Sequence, residues 1–153
     1  MMTTTAAEGL ARRLQELADR ADLADLLARQ GRWLDEQRFD DAGSIFTEDA
    51  TIRTQSGQSQ GLQALTAQAR RIHASFAATQ HVTSGVLIDV DGDGATVRAN
   101  LIATFVRDAA APEPAAAAGE RYRFEAIRTP RGWRFSRLEV TPVWRSGDMP
   151  RQN

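Results

Sequence analysis

At 153 residues, with 42% hydrophobic and 25% charged residues, the chain has the size and balance of one globular domain able to bury a core. It contains no cysteine and no lysine, all 19 basic residues being arginine, which excludes disulfides, thiolate chemistry, Schiff-base catalysis and a Walker-type phosphate lysine. A formal net charge of -1 gives no electrostatic drive toward nucleic acid, and no run approaches the roughly 20 apolar residues of a membrane helix.

The N-terminus lacks the basic, apolar, small-residue order of a signal peptide, so a cytoplasmic location is expected. Residues 1–9 are expected to be frayed. Leu10, Leu14 and Leu17 recur at helical spacing, and Leu23, Leu26, Leu27, Gln30 and Leu34 continue on another helical face, with Asp19 or Asp22 placed to start a second helix. A short third helix is predicted over Asp40–Phe46. Gly61–His73 carries Leu62, Leu65, Ala69 and Ile72 at helical spacing.

The second half reads as strand. Thr79–Val90 is rich in β-branched residues, Asp91-Gly92-Asp93-Gly94 is a hairpin turn, and Ala95–Arg107 is the partner strand. Asp108–Gly119 is low in complexity and predicts a mobile loop. Glu120–Arg128 and Trp133–Trp144 form a second hairpin across Thr129–Gly132. The late arginines, from Arg121 to Arg137, alternate with Glu120, Glu125 and Glu139, which predicts a solvated sheet face and not a single-strand binding surface. The domain is expected over 10–147, with a tail over 148–153. Helices followed by long antiparallel strands predict an α+β fold with the helices on one sheet face.

Two residues stand out chemically. Asp35 lies on the edge between the apolar and polar stripes of its helix, in line with Ala24, Ala28 and Gly31. It reads most simply as a solvated Asp near a helix end, or else as a carboxylate leaning into a cavity. His81 opens a strand; it is either a core histidine satisfied by a backbone carbonyl or a general base oriented by a carboxylate. His73, the other histidine, sits where a charged imidazole suits the end of a helix, and no catalytic role is assigned to it. No metal site, phosphate loop or dinucleotide fingerprint is predicted.

The ordered set Leu34–Asp40, Ile45–Ala50, Gly61, Thr79-Gln80-His81, Asp91-Gly92-Asp93, Arg131–Phe135 and Trp144 resembles the SnoaL-like branch of the nuclear-transport-factor-2-like superfamily, with scytalone dehydratase and the bile-acid dehydratases as near relatives. The resemblance implies a cone-shaped, cystatin-like fold, a curved antiparallel sheet wrapped around N-terminal helices, with a pocket at its open end. It implies that Asp35 and His81 are the catalytic pair of a cofactor-independent dehydratase, isomerase or cyclase acting on a small hydrophobic ring-containing molecule such as a polyketide, steroid or terpenoid. The implied pocket is lined by Gln30, Leu34, Phe46, Ile72, Phe105, Tyr122, Phe124, Trp133 and Trp144. Gln30 stands where the family often has a tyrosine, Phe105 where scytalone dehydratase has its second histidine, and Tyr122 near its pocket asparagine. A non-catalytic binding protein and a small subunit of a larger assembly remain the alternatives. Apolar residues on both strand faces, among them Val86, Ile88, Ile102, Leu138 and Val140, predict a homodimer or higher homo-oligomer.

Overall fold

The structure is a computed structural model that describes residues 2–55 and 57–148. One long helix, α1 (Met2–Asp35), is followed by a 3-10 turn (Phe39–Ser44), strands β1 (Phe46–Thr54) and β2 (Gly57–Gln60), helix α2 (Leu62–His73), and strands β3 (Ala78–Asp91), β4 (Gly94–Asp108), β5 (Ala111–Thr129) and β6 (Gly132–Gly147). The six strands form one curved, open sheet in the order β2-β1-β6-β5-β4-β3. All neighbours run antiparallel except β1 and β6, which are parallel. The α+β architecture expected from the resemblance is the one observed. No helix among the described residues is long and apolar enough to cross a membrane.

Alternation builds the concave face. Along β4, Ala95, Val97, Ala99, Leu101, Ala103 and Phe105 are buried, as a period of two requires. Tyr122, Phe124 and Ala126 of β5 and Phe135 and Leu138 of β6 continue that surface. Helix α1 packs on it through Leu23, Leu26, Leu27 and Leu34. On the outer face Val82, Ile102 and Val143 remain exposed.

Four sequence expectations are corrected. The two N-terminal helices are one, because no proline falls within residues 10–35 and no glycine before Gly31, and Asp19 is a buried side chain within the helix and not a cap. Leu10, Leu14 and Leu17 are exposed, and helix also occupies the segment expected to fray from residue 2 onward. The helix predicted over Asp40–Phe46 is a 3-10 turn, after which the polar run from Thr47 becomes β1. The loop predicted over Asp108–Gly119 is mostly strand. Ala116 pairs with Phe105 on one side and Gly147 on the other, and pairing on both edges overrides the low strand propensity of alanine. Of the expected tail, Asp148 accepts a bond from Arg107, and 149–153 lie outside the described residues.

The long helix also covers an edge of the sheet. β3 is a terminal strand, and its outward-facing polar groups meet α1: the Arg20 guanidinium donates to the Ile88 carbonyl (2.5 Å), and the His81 amide donates to Asp35 (2.9 Å). Fifteen helical steps from Arg20 to Asp35 span about 22 Å. Seven extended steps from His81 to Ile88 span about 23 Å, so helix and strand lie antiparallel in matched register.

Candidate active site

Asp35 is the last residue of α1, and the helix end is fixed by backbone geometry. Gln37 takes the left-handed conformation (φ 53°), the Arg38 amide donates to the Trp33 carbonyl (3.0 Å), and the Gln37 amide donates to the Leu34 carbonyl (3.1 Å). This is the paired bonding of a Schellman stop, built here without glycine. The termination leaves the Asp35 carboxylate against the start of β3. Its Oδ1 lies 2.6 Å from His81 Nδ1 and accepts from Thr79 Oγ1 (3.0 Å), while Oδ2 accepts the His81 amide.

Burial alone would push the Asp35 carboxyl up, but the bonds from the His81 ring and amide outweigh it and hold the group below the usual carboxylate range. An ionised carboxylate only accepts, so His81 Nδ1 must carry the proton facing it. In its neutral form the ring then presents Nε2 as a bare base. The His81 side chain is 5% exposed, and Phe105 meets its ring edge-on at 6.1 Å, fixing the imidazole plane.

His81 lines a cavity of about 120 Å³ between α1, α2 and the concave face. Of the residues predicted from sequence, Gln30, Leu34, Ile72, His81, Phe105 and Tyr122 lie on its wall. Asp35 sits behind His81, in a shallow surface depression on the other side of the imidazole. Burial pushes the Tyr122 phenol far up, with neighbouring Gln30 opposing the shift, so it stays a neutral hydroxyl.

Four predicted residues are placed elsewhere. Phe46 is core, edge-on to Trp33. Phe124 stacks on Phe135 at 4.1 Å within the core. The Trp133 indole donates to Asp19 (3.2 Å) under the Arg128 guanidinium, at the middle of α1. Trp144 is 44% exposed and lies across Gly119, where any side chain would collide with the indole. Aromatic character marks burial, and core and cavity walls satisfy it equally.

Several wall residues were missed. His73 is not a solvated helix-end cation but is buried, with its ring 5.7 Å from that of His81. Trp33 and Gln68 stand on the same wall. Glu120, expected on a solvated face, points inward between Ala118 and Tyr122, with Arg145 on the same wall. Helical periodicity does put Leu65, Gln68, Ala69 and Ile72 on one face, but it does not reveal that this face meets a void.

Burial raises the Glu120 carboxyl above its ordinary range, with Arg145 opposing the shift. A raised acid costs stability as pH climbs from its unfolded to its folded pKa. Glu120→Gln is therefore expected to raise Tm at pH 7–8 by about 2 °C, with the gain vanishing below pH 4. Melting curves across that range check it; a gain independent of pH would point to packing in place of charge.

Residues 15–139 match the family model of the SnoaL-like domain. The uncharacterized protein Rv2910c of Mycobacterium tuberculosis is 29% identical over 137 residues, covering 82% of this chain and 86% of its own. Among solved structures, the Kfla4162 protein of Kribbella flavida superposes with a TM-score of 0.79 at 26% identity, covering 86% of this chain and 95% of its own. A proposed scytalone dehydratase of Novosphingobium aromaticivorans gives a TM-score of 0.79 at 20% identity over 89% of this chain and 91% of its own, a likeness of fold.

Proposed function

Because the chain belongs to the SnoaL-like family, we propose that it is a cofactor-independent lyase or isomerase in which Asp35 and His81 move a proton on a small hydrophobic ring-containing molecule. The observation that carries this reading is the 2.6 Å contact between Asp35 Oδ1 and His81 Nδ1, made by an imidazole that also lines a partly open, largely apolar cavity. A base in such a site is shielded from water and aimed at whatever the cavity holds.

In this reading His81 Nε2 takes the proton from a carbon next to a substrate carbonyl. The C–H electron pair becomes the new double bond, and a hydroxyl on the neighbouring carbon leaves as water with the proton that the imidazolium returns. Where no leaving group is present, the same proton returned at another carbon completes an isomerisation. Asp35 stabilises the imidazolium and fixes the tautomer. Tyr122, a neutral hydroxyl on the same wall as Gln30, polarises the carbonyl oxygen in this reading. The fold shared with the proposed scytalone dehydratase supports dehydration as the first reaction to try.

The test is a panel of cyclic β-hydroxy ketones in D₂O, read for enone absorbance and for deuterium at the α-carbon. Wild-type protein is expected to accelerate one or both, and Asp35→Asn to lose the acceleration. Wild-type rates no higher than buffer, with ligand still bound, would leave a binding protein and not an enzyme, and equal acceleration by both proteins would remove Asp35 from the chemistry.

A further inference from the structure

Buried side-chain polar atoms in folded proteins nearly always have a partner, because leaving one bare forfeits its bonds to water without replacement. Among the described residues, three such atoms have none: Trp33 Nε1, Gln68 Oε1 and His73 Nε2. They come from different elements, Trp33 from α1 and the other two from α2, yet all three residues line the cavity that holds His81. Each residue is at least nine-tenths buried, at 4%, 9% and 4% exposure respectively. Three unsatisfied groups carried by residues that wall one void are a binding pattern.

The polarity of the pattern follows from chemistry. An indole N–H only donates. His73 Nδ1 lies 2.8 Å from the Ala69 carbonyl, which only accepts, so the proton sits on Nδ1 and Nε2 is left as an acceptor. Burial keeps this imidazole below the ordinary range and therefore neutral. Gln68 Oε1 is a second acceptor. The wall thus asks for one oxygen to receive a hydrogen bond and for hydroxyl hydrogens to give two, while Leu65, Ile72 and Leu138 supply apolar surface for a ring. A void of about 120 Å³ is also nearer to a single benzene-sized ring, which an apolar cavity of about 150 Å³ accommodates, than to the fused rings of a steroid.

We propose that Trp33, Gln68 and His73 form the recognition wall of this cavity, and that its ligand is a single ring bearing two hydroxyls, one of which also accepts. The assignment rests on the reading of this cavity as the substrate site and names the substrate class. His73 is here a binding group. The proton-transferring imidazole is His81, and the two rings hold the substrate hydroxyl and the reacting carbon in fixed relation.

The probes are resorcinol and toluene, similar in size and different in polarity, titrated while histidine ¹⁵N shifts and affinity are read. Wild-type protein is expected to bind resorcinol at least tenfold more tightly than toluene, with the His73 Nε2 resonance moving on addition. His73→Phe keeps the ring volume and leaves Ala69 O its helical amide, so resorcinol affinity should fall about tenfold while toluene affinity holds. Gln68→Leu should act in the same direction and carries the comparison if the first variant fails to fold. No binding of either probe, equal affinity for both in the wild type, or unaltered resorcinol binding in the folded variants overturns the proposal. Binding is read without turnover, so the two readings separate. A protein that prefers resorcinol yet catalyses nothing upholds the wall, and one that dehydrates its panel without that preference refutes the wall alone.

Discussion

His81→Ala is expected to lower turnover by about 10²- to 10⁴-fold, the range that a positioned general base supplies, while leaving the thermal midpoint within a few degrees of the wild type. The base is aimed from a strand and the cavity wall is carried mostly by other residues, so its loss should strike kcat and spare ligand affinity. Asp35→Asn should approach the same loss by a different route. The asparagine amide, turned toward Nδ1, donates where the carboxylate accepts, so the imidazole proton moves to Nε2 and the base is blocked. Single-turnover kinetics with the best panel substrate, alongside its Kd, separate the two steps. Full turnover in His81→Ala would remove the imidazole from the chemistry whatever its geometry.

Asp19→Ala is expected to cost about 2–4 kcal/mol, which for a chain of this length lowers Tm by about 5–10 °C. Asp19 is 3% exposed and accepts two bonds from Arg128 (2.7 and 2.8 Å) and one each from the Trp133 indole and Gln15 (both 3.2 Å). Those bonds, Arg128 foremost, hold its carboxyl down to about 2 against the opposing effect of burial. A lowered acid stabilises the fold above its unfolded pKa and loses that contribution as pH falls through its folded one. The wild type should therefore weaken between about pH 4 and pH 2 more steeply than the variant. Urea melts at pH 7 and pH 2.5 check both statements; a variant indistinguishable at pH 7 would mean that the cluster is ornamental. The cluster pins the middle of α1 to the β5–β6 turn through a carboxylate–guanidinium pair.

Much of this molecule was legible because two periodicities dominate it. The alternation along β4 and the hairpin at Asp91–Gly94 translate directly into structure, as do the leucines from Leu23 to Leu34. Asp35 and His81 were found by their order among landmarks, since neither environment is visible locally: the carboxylate depends on a left-handed Gln37 that no sequence rule marks. β1 and the alanine-rich start of β5 were missed because their strand character comes from neighbours and not from propensity. Asp19 and Glu120 were misjudged for the same reason, as a charged residue is buried only when distant partners or a cavity make room for it. His73 shows the limit most sharply. Its tautomer follows from a bond four residues back, but its office depends on a void enclosed by three other elements.

The antiparallel lie of α1 along β3 has a consequence for solution behaviour. A terminal strand with bare amides is a template for intermolecular pairing, and proteins blunt such edges with charge or cover. Here the cover is one helix fastened at Arg20 and Asp35, so the carboxylate assigned to proton transfer also guards against aggregation. Variants that loosen this fastening would be expected to precipitate on storage before they unfold on heating, and the residue would then be constrained by colloidal behaviour as well as by catalysis.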